Sequence, residues 1–145
     1  MMFGKDRGNS VLLIVDRKAQ YIKLGKLTQR TSRLTLSKTK ELLRRLPKRI
    51  MTNERGHEFS DQFKLKRALK IPVYVCHPYT LGERGTAENR IGILRKYLKK
   101  GFNLKTLKHA TINRIENEIS NRPMKCLDWK TPYQVLLSKK VALIM

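Results

Sequence analysis

The chain has 145 residues, a usual length for one domain with a real hydrophobic core. Its 33 Lys and Arg residues outnumber 11 Asp and Glu residues and give a formal net charge of +22, so the first partner to consider is a polyanion, with nucleic acid ahead of membrane. The sequence has no long apolar run and no apolar signal segment, which argues against membrane and secreted proteins and predicts a cytoplasmic location.

The first half of the chain predicts the order β, β, α, β, α, β. Residues 10–27 contain two apolar runs separated by a basic turn, which indicates two adjacent antiparallel strands. Residues 37–49 predict a helix with Ser37 as its N-cap. A short strand, "RIMT", a helix at 59–70 and the β-branched strand "IPVYVC" follow.

The second half predicts three helices. One covers about 86–99 and has an apolar stripe made of Ala87, Ile91, Leu94 and Leu98. A second covers about 104–120, with three buried isoleucines, Ile112, Ile115 and Ile119. The last begins with Thr131 as N-cap and Pro132 as its first residue, runs to Ser138, and is expected to cover Trp129 and Tyr133.

Two acids stand out in this basic chain. Glu54 lies where a strand gives way to a glycine turn, and Glu88 lies on the helix 86–99, on a stripe beside its apolar one. Acids on a strand end and on a packed helix can converge, and a carboxylate pair facing a basic surface favours divalent metal ions acting on a phosphodiester. The spacing alone favours two ordinary surface glutamates over a metal site. Glu58 is expected either to orient the turn or to be solvated.

The sequence segments around these two acids resemble those of a known protein family. "TNERGHEF", "HPYTLGERGTAENRIGILRKYL" and "NRPMKCLDWKTPYQVL", in this order, resemble the catalytic region of insertion-sequence-thirty-type transposases, and "LLIVDRKAQYI" resembles the strand-turn-strand before it. That family is related to retroviral integrase. The resemblance covers nearly the whole chain, and it implies an α/β, ribonuclease-H-like fold, a mixed sheet flanked by helices with an incomplete first strand.

The resemblance also implies a metal site. Family members hold two Mg²⁺ (or Mn²⁺) ions with Asp, Asp and Glu, and here Glu54 matches the second acid and Glu88 the third. Glu54 is one methylene longer than the usual Asp. The first acid belongs a few residues before the position of Gly4, at or just before the start of this chain. Asp6 matches a loop and Asp16 a turn, so neither is expected to be catalytic.

The implied function is DNA transposition and integration by a DDE-type catalytic domain. We expect a single domain, 1–145, without the family's upstream helix-turn-helix region, that is, a truncated fragment that binds DNA and is inactive. Phosphate contacts are expected from Arg84, Arg95, Lys96, Lys99 and Lys100, although such cations also form ordinary solvated helix faces. Further expected partners are a second copy or an intact transposase. The alternatives are a regulator of an intact transposase and a ribosomal-protein-like RNA binder.

Overall fold

The computed structural model describes residues 2–3, 8–78 and 81–144. This part of the chain contains the strands β1 (Met2–Phe3), β2 (Ser10–Val15), β3 (Ile22–Leu27), β4 (Met51–Asn53) and β5 (Val73–Val75). Its helices are α1 (Ser32–Leu43), α2 (Gln62–Leu69), α3 (Leu81–Tyr97), α4 (His109–Ser120) and α5 (Pro132–Ile144). The elements follow the predicted order, with the two-residue β1 in front.

Strands β1, β2 and β3 form an antiparallel sheet in that order, which confirms the two predicted strands. Asp16 shapes the connection between β2 and β3. Its Oδ1 accepts hydrogen bonds of 2.8 Å from the backbone N–H groups of Lys18 and Ala19. A carboxylate that satisfies the donors of its own turn stabilises that turn, so Asp16 has a local structural role.

Helices α3 and α4 pack against this sheet and form the main core with it, α3 on β2 and α4 on β3. The predicted stripes supply much of this core, because Leu94, Leu98 and all three isoleucines of α4 are buried. Full burial of one such side chain contributes about 1.5–3 kcal/mol. The core therefore fixes α3, the helix that carries Glu88, on the sheet.

Glu116 of α4 closes the outer edge of β3. Its buried carboxylate accepts a hydrogen bond of 2.9 Å from the backbone N–H of Leu24 and one of 2.7 Å from Lys23 Nζ. Burial acts to lower the pKa of Lys23, but the hydrogen bond and charge of Glu116 outweigh it and raise that pKa. An open strand edge is a template for pairing with another chain, so Glu116 protects β3.

Strands β4 and β5 form a second, parallel sheet, with Met51 opposite Val73 and Asn53 opposite Val75. A second apolar cluster of Leu43, Leu65 and Leu69 packs beside it. Helix α1 contacts both β3 and α2, and thereby links the two sheets. Both strand directions of the predicted mixed arrangement are present.

Helix α1 begins earlier than predicted, because Thr31 and not Ser37 is its N-cap, and it ends at Leu43. The hydroxyls of the buried Thr35 and Thr39 donate to the carbonyl oxygens of Thr31 and Thr35, at 2.9 and 2.7 Å. These internal bonds satisfy the polar groups that the helix buries. A search for an apolar stripe does not detect a helix face of this kind.

The expected burial of Trp129 and Tyr133 is wrong, because the two side chains are 69% and 44% exposed. The backbone is left-handed at both Asp128 (φ 52°) and Trp129 (φ 61°). Phe63 is 86% exposed as well. Trp129, Tyr133 and Phe63 are thus more exposed than their residue types predict.

Other helix boundaries also differ from the prediction. Helix α3 begins at Leu81 rather than near residue 86 and ends at Tyr97, and α2 is shorter than the predicted 59–70. The stretch 104–120 is divided into a 3₁₀ turn, Leu104–Thr106, and α4. Helix α5 begins at the predicted residue but continues to Ile144. Thr131 Oγ1 accepts a hydrogen bond of 3.1 Å from the N–H of Gln134, whose Oε1 accepts one of 2.9 Å from the N–H of Thr131, a capping box. None of the described helices is both long and apolar enough to cross a bilayer.

Candidate active site

Glu54 lies at the carboxyl end of β4, directly after the buried Asn53. The two parallel strands are still joined here, because the Asn53 carbonyl oxygen accepts a hydrogen bond of 2.9 Å from the N–H of Cys76. Glu54 is half-buried and lines an open cleft of about 390 Å³ together with Arg55, Gly56, Phe59, Ser60, Gln62 and Val75. Ligands of α/β sheets bind outside the carboxyl ends of the strands.

The buried carboxylate of Glu58 supports the turn that follows Glu54. Glu58 is 7% exposed, and its Oε2 lies 3.6 Å from Nη2 of Arg30. A Cβ on Gly56 would lie 2.8 Å from the carboxylate carbon of Glu58. Of the two expected roles, orientation of the turn fits this geometry, and a solvated acid does not.

Glu88 lies on the exposed side of α3, apart from the buried leucines, as predicted. Gly85 and Gly92, three residues before it and four after it, share its side of the helix. A Cβ on either glycine would meet no atom within 4 Å. The helix surface around Glu88 is therefore open, and a ligand can approach both its carboxylate and the backbone.

The predicted cations lie on the same helix and just beyond its end. Lys96, Lys99 and Lys100 are exposed, and Arg95 is half-buried. At a rise of about 1.5 Å per residue, Lys96 lies about 12 Å along the helix from Glu88. That separation exceeds metal-ligand distances but suits phosphates farther along a bound strand. Arg84 lies in the first turn of α3, and its side chain is outside the described residues.

Arg90 is a positioning residue that the sequence analysis missed. It is 3% exposed, and its Nη2 donates a hydrogen bond of 2.8 Å to Gln20 Oε1 and lies 3.0 Å from Met124 Sδ. Burial lowers the pKa of Arg90, and Cys126 opposes this shift. Arg90 thus ties α3 to two loops, two residues away from Glu88. Its place four residues before the buried Leu94 was the available signal, since a cation on an apolar stripe is unusual.

The structure brings Glu88, Arg95 and Lys96 together on α3, with Lys99 and Lys100 just beyond its end, and places Glu54 on a separate element, the end of β4. Both acids offer the hard oxygen donors that Mg²⁺ and Mn²⁺ prefer. Within the described ranges, no cluster of three or more His, Cys, Asp and Glu side chains could hold a metal ion. The expected position of the first acid, at or just before Met1, and Asp6 lie outside those ranges. The donors fit in kind, but their described number is smaller than the resemblance implies.

Known proteins similar to this chain are insertion-sequence transposases, while no family model matches it. It is 31% identical over 137 residues to the transposase of element IS1086 from Cupriavidus metallidurans and 32% identical over 133 residues to that of IS4351 from Bacteroides fragilis. Transposase InsI of IS30A from Escherichia coli is 26% identical over 133 residues. These alignments cover 92%, 90% and 90% of the chain, but only 40%, 41% and 35% of the relatives.

Solved integrase structures show the same fold. The catalytic core domain of BIV integrase superposes with a TM-score of 0.75 at 14% identity, over 93% of this chain and 90% of that domain. A chain of the simian T-cell lymphotropic virus intasome in complex with PP2A regulatory subunit B56 gamma gives 0.74 at 18% identity, over 92% of this chain and 50% of that chain. The expected ribonuclease-H-like fold and the resemblance to insertion-sequence transposases are confirmed.

Proposed function

Because this chain is a homologue of insertion-sequence transposases over about nine-tenths of its length, we propose that it is a catalytic-type domain of DNA transposition and integration. The observation that carries this proposal is the placement of two acids within an integrase-core fold. Glu54 ends a strand beside an open cleft, and Glu88 lies on an open helix face followed by cations.

We propose Glu54 and Glu88 as the residues that hold Mg²⁺ or Mn²⁺. The topology supports their convergence, because β5 runs parallel to β4, ends at the same edge as Glu54, and is followed by α3 with Glu88. A divalent ion bound there would polarise a phosphoryl oxygen and activate the attacking water or hydroxyl. The carboxylates supply the negative charge that holds the ion, while Gly85 and Gly92 leave room for a phosphate backbone.

A shared metal site can be tested without activity. Fe²⁺ with ascorbate and peroxide cleaves a protein backbone near a bound metal, and excess Mg²⁺ should suppress those cuts. If the two acids share a site, cuts will occur near both residue 54 and residue 88, and Glu88→Gln will weaken both. Glu118→Gln, which changes an exposed glutamate of α4, is the matched control. Cuts near only one acid, or unaffected by Glu88→Gln, would refute the site.

We infer that the chain as it stands does not cut or join DNA. Two carboxylates leave most positions of an octahedral Mg²⁺ to water. Glu54 reaches one methylene farther than Asp, and a misplacement of about 1 Å can cost about a hundredfold in rate. Nicking and joining assays in Mg²⁺ and Mn²⁺ should be negative, and should improve after Glu54→Asp. Strong cleavage by the unmodified chain, abolished by Glu88→Ala, would contradict this inference.

DNA is the proposed partner of the α3 cations. Replacing four phosphate-binding cations by Ala should reduce the slope of log K against log salt for duplex DNA by about 3–4. The variant replaces Arg95, Lys96, Lys99 and Lys100. Its control removes the same charge from α1 and the turn after it, at the exposed residues Arg33, Lys40, Arg44 and Arg45. Equal effects of the two variants, or an affinity that barely changes between about 50 and 200 mM salt, would contradict the proposal.

The other partners are tested alongside. A ribosomal-protein-like RNA binder would prefer a structured RNA to duplex DNA in the same titration. The similarity to insertion-sequence transposases favours transposition over that alternative. Tyr21, next to β3, packs against Tyr133 with 6.4 Å between the ring centroids, so it does not offer an open ring for base stacking. Sedimentation of the chain, alone and with an intact homologous transposase, measures the proposed homo-oligomer and the proposed pairing of a regulator.

A further inference from the structure

Helix α2 and its C-cap present a stripe of one aromatic and three cationic side chains. Phe63, Lys66, Arg67 and Lys70 follow one another at i, i+3, i+4 and i+7, the spacing of one helix face. All four are exposed, Phe63 by 86%, whereas the leucines on the other side of α2 are buried. An aromatic ring contributes to folding mainly through its burial, so Phe63 contributes little to the stability of the free chain.

The stripe lines an open cleft of about 520 Å³, here called the α2 cleft, whose other walls are Ile71 and Pro72. Its volume lies within the range of about 300–1,000 Å³ that is typical of ligand sites. The cleft combines a flat aromatic face, two apolar side chains and three cations. None of the residues that line it is acidic.

The α2 cleft lies at the opposite end of the β4–β5 pair from Glu54. Pro72 precedes β5, and its carbonyl oxygen accepts a hydrogen bond of 3.1 Å from the N–H of Met51, the first residue of β4. Glu54 follows the last residue of β4. A strand rises about 3.3 Å per residue, so the two ends are about 10 Å apart. The clefts share no lining residue, and the α2 cleft is therefore separate from the carboxylate site.

We propose that the α2 cleft binds a single-stranded segment of nucleic acid, with an unpaired base stacked on Phe63 and the adjacent phosphates bound by the three cations. Proteins that bind single strands combine cations along the backbone with aromatic rings beneath the bases. The formal charge of +22 attracts a polyanion and opposes a second copy of this chain. An acidic peptide would use the same cations, but an aliphatic side chain would serve it as well as a ring.

The proposed function supplies the DNA strand that this cleft would bind. The binding itself needs neither the carboxylate pair nor a metal ion. A frayed DNA end offers such a strand, because its bases are unpaired. The α2 cleft would hold such an end away from the Glu54 edge. It gives the chain a second DNA contact, distinct from the duplex contact proposed for the cations of α3.

The stacking contact is tested by titrating the full chain into a labelled single-stranded oligothymidylate and into a labelled duplex, followed by fluorescence anisotropy. Phe63→Ala and Phe63→Leu should each weaken single-strand binding about tenfold. Phe63→Trp should restore it, because the indole ring also stacks. Duplex affinity should stay within about twofold, because it depends on phosphate contacts elsewhere.

The phosphate contact is tested by a triple Ala variant of Lys66, Arg67 and Lys70. The slope of log K against log salt for the single strand should fall by about 2, at about 0.7 per phosphate contact. Its control removes the same charge from three exposed residues of α1 and its C-cap, Arg33, Lys40 and Arg44. The control should reduce the slope by less than half as much.

Three results would overturn the proposal. If Phe63→Leu bound the single strand as tightly as the wild type does, Phe63 would not stack on a base. Equal losses for single strand and duplex would make the cleft part of a general cationic surface. Displacement of the oligonucleotide by an acidic, Phe-containing peptide at lower concentration would assign the cleft to a protein partner. Circular dichroism confirms that the variants fold, and Fe²⁺ cleavage at residues 54 and 88 reads the proposed metal site separately.

Discussion

Gly56→Ala should destabilise the chain, although its backbone conformation suits alanine. Gly56 has φ −155° and ψ 149°, an extended conformation that any residue adopts. Alanine restricts the backbone of the unfolded chain more than glycine does, and this effect alone would stabilise the protein by about 0.4–1 kcal/mol. The new Cβ, however, would lie 2.8 Å from the carboxylate carbon of Glu58, which is buried and paired with Arg30. The sign of the effect therefore depends on whether Glu58 can move.

Movement of Glu58 has a cost, because it must leave a buried position or force the turn outwards. Overpacking of this kind costs about 1–3 kcal/mol. After the gain from the unfolded state is subtracted, we expect a net loss of about 1 kcal/mol, or a few degrees in Tm. Glu54 lies two residues before the displaced turn, so Fe²⁺ cleavage near residue 54 should weaken as well.

A double-mutant cycle isolates the clash. Urea unfolding of the wild type, Gly56→Ala, Glu58→Ala and the double variant gives the four free energies of unfolding. In the Glu58→Ala background the clash is absent, so Gly56→Ala should become stabilising, by about 0.5 kcal/mol. Stabilisation by Gly56→Ala in the wild-type background would refute the reasoning, because Glu58 would then not hold the turn.

Three further predictions concern stability. Glu116→Ala should lower the free energy of unfolding by about 3 kcal/mol in urea titrations, because it leaves the Leu24 N–H and Lys23 without their acceptor; Glu116→Gln, which keeps a neutral acceptor, should cost clearly less. Burial, with smaller contributions from Glu116 and Tyr133, outweighs the effect of Lys23 and raises the pKa of the Tyr21 hydroxyl above 10.0. The folded chain therefore holds that proton more tightly, and this difference stabilises the fold below about pH 10. The stabilisation is lost as the pH rises through the pKa of Tyr21 in the folded chain. Tyr21→Phe removes this group, so Tm should fall less between about pH 9 and 11 than it does in the wild type. Gly92→Ala should raise the free energy of unfolding by about 0.5–1 kcal/mol, since it fills open space on an exposed helix face; a decrease would show that the glycine packs more closely than it appears.

The periodicity of apolar residues correctly predicted the strands and helices whose buried side chains recur at regular intervals in the sequence. The apolar runs of β2 and β3 and the isoleucines of α4 bury the same side chains that their periodicity selects. The start of α1 was missed because its buried face consists of threonines whose hydroxyls bond within the helix. The exposure of Trp129 was missed because it depends on a left-handed loop that no periodicity predicts.

The parts of the candidate site whose positions follow from helix geometry could be predicted from the sequence. The position of Glu88 beside the apolar stripe of α3 follows from the 3.6-residue period, and the structure confirms it. The burial of Glu58 depends on Arg30, which is distant in sequence, so no local pattern contains it. Arg90 likewise lies in its place because Gln20 and Met124 come from two other parts of the fold.

The few acids of this cationic chain are largely used within the fold. Several of the 11 acids have structural tasks: they pair with cations or close turns, as Asp16, Glu41, Glu58, Asp61 and Glu116 do. The excess cations repel one another and reduce the stability of the free chain. A polyanion removes that repulsion, and a ligand at 100 times its Kd adds about 2.7 kcal/mol to the free energy of unfolding. The Tm should therefore rise with DNA and lose that gain in high salt, whereas a chain whose cations served only solubility would show no such gain.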